Sequence, residues 1–100
     1  MDKMYRQGDV LLKKIETIPK GVKPKEDDII LKGEATGHAH RIVNGTIYTG
    51  LSGTGEMYIE AEVGASVVHE EHNTIPIEAG FYEVIRQREY NPRRSRLVKD

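Results

Sequence analysis

Glycine stands at positions 33, 37, 45, 50, 53, 55, 64 and 80 and cuts most of the chain into apolar pieces of strand length. A helix of ordinary size needs an unbroken apolar stripe with a 3.6-residue period, and no segment carries one. The piece "EMYIEAEV" (56–63) alternates instead: Met57, Ile59, Ala61 and Val63 fall on one side, Tyr58, Glu60 and Glu62 on the other. Period two with one apolar and one polar side is the pattern of a strand with one buried and one wet face.

The same reading marks "DVLLKKI" (9–15), "IILKG" (29–33), "ATGHAHRIV" (35–43), "TIYTG" (46–50), "ASVVHE" (65–70), "TIPIEAG" (74–80) and "FYEVIRQREY" (81–90) as strand candidates. "SRLV" (95–98) would be a last edge strand, and "LSGTG" (51–55) a turn. Residues 16–28 hold two prolines, one glycine and seven charged residues, which predicts a long solvated loop, either a flap or an arm to a neighbouring subunit. One Phe, no Trp and five Tyr leave Val, Ile and Leu to fill the core, and β-branched residues pack well on a pleated surface. A hundred residues suffice for one modest core. The expectation is an all-β single domain over 1–100, its about seven to nine short antiparallel strands closing into a small barrel or a two-sheet roll.

Fifteen Lys and Arg against sixteen Asp and Glu give a net charge of −1, so the chain as a whole is not a basic nucleic-acid binder. It has no cysteine, which excludes disulfides, thiolate ligands and thiol nucleophiles. "MDKMYRQGDV" has no apolar run of signal-peptide length and nothing later approaches a membrane span, which predicts a cytoplasmic protein without a membrane partner.

All four histidines lie in two short stretches, His38 and His40 in "TGHAHRI", His69 and His72 in "VVHEEHNTIPI". On a strand an H-x-H pair points both imidazoles to one side, about 7 Å apart at a rise of about 3.3 Å per residue. If 67–77 were one regular strand, Val67, His69, Glu71, Ile75 and Ile77 would share a face, and His69 and Glu71 would join His38 and His40. Three imidazoles and a carboxylate suit a first-row divalent metal such as Zn, Fe, Mn or Ni. "EEHN" also reads as a bend, and a kink there would bring in His72 instead of His69. The plainer alternative is that these histidines hydrogen-bond backbone in a turn and at a polar hairpin tip.

"GHAH" resembles the first motif of the cupins, small β-barrels that bind a metal through an H-x-H pair, a Glu and a later His. The resemblance implies a metal role for His38 and His40 only. Gly33 lies one residue closer to His38 than the cupin glycine, Asn44 stands in the stretch where a Glu is expected, and no His follows "IPIEAG". The combination of "TGHAHRI", "HEEH", "AGFYEV" and "RQREY" is similar to a family of small bacterial proteins of unknown function, a similarity that implies no activity.

In "VIRQREYNPRRSR", Tyr82, Val84, Arg86, Arg88 and Tyr90 would share a strand face, and residues 86–100 carry six Arg or Lys against Glu89 and Asp100. Arginine beside tyrosine suits a nucleic-acid partner, while an edge strand protected by charge is the simpler account. Arg86, Arg88 and Tyr90 near the histidines would instead form a pocket for a small anionic ligand. A histidine oriented by Glu70 or Glu71 would there serve as general acid or base. The leading expectation is therefore a divalent-metal or anion site, with metal-assisted hydrolysis or dioxygen chemistry open to a metal with a free position. The alternative is a non-enzymatic homo-oligomeric module whose histidines line an interface and whose basic C-terminal surface serves a protein or nucleic-acid partner.

Overall fold

The computed structural model describes residues 3–33, 37–50 and 55–86, and "SRLV", "LSGT", Arg88 and Tyr90 lie outside them. The described residues form eight strands and no helix: β1 (Met4–Gln7), β2 (Val10–Ile15), β3 (Lys23–Pro24), β4 (Ile29–Lys32), β5 (Ala39–Thr49), β6 (Met57–Val68), β7 (Ile75–Pro76) and β8 (Gly80–Arg86). All pairings are antiparallel, in one sheet of order β1-β2-β8-β6-β5-β3, with β4 also on β5 and β7 also on β6. Among the described residues the ladder does not close, so they form a curled open sheet and not a hydrogen-bonded barrel. The 16–28 stretch is interrupted by the two-residue β3, which pairs with Tyr48 and Thr49.

The two long strands β5 and β6 are the spine, and each changes its second neighbour along its length. Near its start β5 pairs with β4, near its end with β3. The first half of β6 pairs with β8 through Tyr58–Ala61, the second with β7 through Ser66 and Val67. The switch occurs at a bulge. Val43 opposes Ser66 and Gly45 opposes Ala61, so β5 advances past Asn44 alone while β6 passes residues 62–65. An unequal count of this kind bends a strand and adds twist. Asn44 adopts φ 59° and Gly64 φ 86°, and the Asn44 side-chain amide donates to the Gly64 carbonyl at 3.2 Å.

The bulge also corrects the simple alternation. Met57, Ile59 and Ala61 are buried as expected, but Val63 is 88 % exposed because it sits in the extra residues that leave the ladder. Tyr58, expected on the wet side, is buried too. Folding the sheet over at the bulge wraps one core of Val10, Leu12, Ile30, Ile42, Ile47, Ile59, Val67, Ile77 and Tyr82 with their neighbours. Tyr82 is the largest fully buried side chain; its hydroxyl donates to the Glu78 carbonyl at 2.7 Å and its ring meets Tyr5 edge-on.

At Gly45 the bend leaves no room for a side chain. A Cβ there would lie 2.8 Å from Ile42 Cγ1 and 3.0 Å from the Glu60 carbonyl oxygen, and the latter cannot move aside without breaking the ladder. Gly45→Ala is expected to destabilise the fold by about 1–3 kcal/mol, the usual scale of overpacking. Urea unfolding measures it, and an unchanged midpoint would refute the account of the bend.

Candidate metal centre

The curl brings the β1–β2 turn against the segment that follows β6, and the gap between them is bridged by a side chain. Gln7, 4 % exposed at the end of β1, donates its amide Nε2 to the Val67 carbonyl at 3.1 Å and the Asn73 carbonyl at 2.9 Å. Two carbonyl acceptors on one amide nitrogen fix which way the amide faces. Its oxygen must then accept, and it lies 2.7 Å from Nδ1 of His40. His40 Nδ1 therefore carries the proton, and the lone pair of the neutral ring is on Nε2. A metal-binding histidine is commonly oriented in this way, with one ring nitrogen donating to a fixed acceptor and the other presented to the ion.

Around this ring the other three imidazoles collect. Ring centroids of His40 and His69 are 4.3 Å apart, those of His69 and His72 4.6 Å, those of His40 and His72 5.6 Å, and those of His38 and His69 5.8 Å. His38 precedes β5 and His40 lies within it. His69 and His72 come from the bend 69–74, where β6 has ended and β7 has not begun. The regular strand over 67–77 is thus absent, and the bend admits His69 and His72 together where the sequence offered one or the other. Gly8 supplies the floor: at φ 58° in the β1–β2 turn, a Cβ there would lie 2.8 Å from His72 Nε2 and 3.3 Å from His40 Cε1.

Among the described residues, two groups of side chains have ligand atoms that all lie within 4.8 Å of one another: His40, His69 and His72, and His38, His69 and Glu70. Glu71, the carboxylate expected from alternation, is exposed and 3.6 Å from His38 Nδ1. Glu70 enters instead because the bend turns it back over the start of β5, where its Oε1 accepts the Ala39 amide at 2.9 Å. That amide and its own backbone N–H hold the Glu70 carboxyl below the usual range. Burial lowers the pKa of His69, and neighbouring His72 and His38 act in the same sense against the opposing pull of Glu70 and Glu71.

His69 is not yet set for a metal. Its Nδ1 accepts the Glu71 backbone N–H at 3.0 Å, so the neutral ring carries its proton on Nε2. Ligation through either nitrogen requires the Glu71 amide to let go.

Arg86 ends β8 opposite Val10 of β2, and its guanidinium donates to the Gly55 carbonyl just before β6. Gln7 and Gly8, which organise the cluster, were not singled out in the sequence; the one available signal was a Gly-Asp turn directly after a polar residue in "RQGDV".

The fold and the cluster define an all-β domain whose histidine groups could hold a metal ion. Residues 6–87 match the model of a domain of unknown function, DUF8820, and the chain belongs to that family. No curated protein and no solved structure matches the chain.

Gln7→Leu would leave the His40 Nδ1–H and two carbonyls without their partner. The expected loss is about 1–3 kcal/mol for leaving buried polar groups unsatisfied, read by denaturant unfolding. The ring-nitrogen NMR shifts of His40 should also move as its tautomer is released. Unchanged shifts would show that Gln7 does not set the ring.

Proposed function

We propose that this domain binds one divalent transition-metal ion through His40, His69 and His72. The observation that carries the reading is the His40 ring, buried and held by Gln7 in the tautomer that presents Nε2, with two more imidazoles within ligand reach. Imidazole donors favour the later first-row ions, so zinc and nickel should bind more tightly than iron or manganese. Three protein ligands leave a coordination position for water or a small anion, as in catalytic zinc sites, and such an ion would supply a Lewis acid there. Support from the cupin resemblance is confined to His38 and His40, because the remaining donors come from a bend and not from a later strand.

Isothermal titration of chelator-treated protein should show one zinc equivalent per chain. His69→Ala should abolish binding, and His72→Ala, an exposed substitution, should weaken it by at least about tenfold. The ligands must be unprotonated, so affinity should fall as pH drops below about 6.5. The depressed His69 pKa keeps that ring neutral further into acid than an ordinary histidine. Binding should also remove the hydrogen-exchange protection of the Glu71 amide, which gives up His69 Nδ1. A protein that takes up none of these ions sinks the reading. The homo-oligomeric module would then be the question, for light scattering to address.

A further inference from the structure

The two donor groups overlap in His69 and in no other residue. A neutral imidazole has one lone pair for a metal, because its other ring nitrogen bears the proton. Holding two ions at once would require deprotonating His69 to the imidazolate, while its Nδ1 is already engaged by the Glu71 amide. Building on the metal-binding reading, we propose that the cluster is a single-ion site with two mutually exclusive positions. The inner position is His40, His69 and His72; the outer is His38, His69 and Glu70; His69 is the ligand both must use.

The positions differ in depth and in chemistry. The inner one includes the buried His40, 6 % exposed and braced by Gln7, whereas no member of the outer one is buried. Inside, the donors are three nitrogens; outside, one is a carboxylate oxygen, which moves the preference toward harder ions such as manganese. Glu70 is placed for this by its bond to the amide of Ala39, the residue between His38 and His40. Glu70 Oε1 accepts that amide, and an ionised carboxylate has further lone pairs with which to meet an ion. An ion displaced from the inner position therefore has a second set of three donors that keeps His69 and exchanges the other two.

Mutual exclusion has a signature that independent sites lack. Glu70→Gln should change affinity for cobalt(II), a visible-absorbing probe, by less than about twofold, because the ion sits inside. His72→Ala should weaken binding by about tenfold and change the cobalt spectrum as the ion moves outward. The double variant should lose more than about a hundredfold, well beyond the product of the single effects, because each change removes the other's refuge. Both side chains are exposed, and Gln keeps an oxygen for the Ala39 amide, so the fold should survive all three variants. Two cobalt equivalents on the unaltered protein, or multiplicative effects in the double variant, would overturn the proposal. Failure of the unaltered protein to bind any cobalt would overturn the metal reading itself, and that result precedes any comparison of variants.

Discussion

Everything near the histidines depends on the three hydrogen bonds of one amide. The sheet curls far enough to bring β1 beside the end of β6 but does not pair them through backbone, and Gln7 spans the seam with bonds to Val67, Asn73 and His40. A buried amide is costly to leave unpaired and strengthens when all its bonds are made, so the seam tolerates little variation in geometry. The first strand, the end of the long hairpin and the bend with two histidines are thereby tied to one another. His40 receives its tautomer from the same group that holds the sheet in its curl.

The seam is also where polar chemistry is least expensive to house. Within the ladders, backbone groups satisfy one another and the space between the folded halves is filled by Ile, Val, Leu and Tyr82. At the seam the regular pairing stops, and side chains must satisfy what the ladder does not. His40 is the one histidine held deeply enough to be buried, and it and His72 lie against Gly8. The result sets a histidine fixed by Gln7 beside histidines carried on a bend, where His69 accepts the exposed Glu71 amide.

The sequence carried the strands well because alternation is a local property. Met57, Ile59 and Ala61 turn inward for the reason their spacing suggests, and "IILKG" and "DVLLKKI" form β4 and β2 close to where they were read. What alternation does not carry is a change of register. Val63 has the right period and the wrong environment, because the unequal bulge between β5 and β6 removes it from the ladder. The same limit applies to the site. The histidines stand out by type and clustering, but Glu70 comes within reach of His38 and His69 because a bend begins there. Gln7 is the clearest case, since its importance comes from partners sixty or more residues away.

The strand order has a further meaning for the order in which the molecule can be made. β2 pairs with β8, so Val10 waits for Arg86 and Leu12 for Val84. Contacts between such distant parts of a chain are closed late, after the local β5–β6 hairpin is able to form. During synthesis the N-terminal pair β1–β2 emerges first yet has no lasting place to dock until β8 has left the ribosome. The orientation of His40 by Gln7 is consequently complete only when parts of the chain sixty or more residues apart have met.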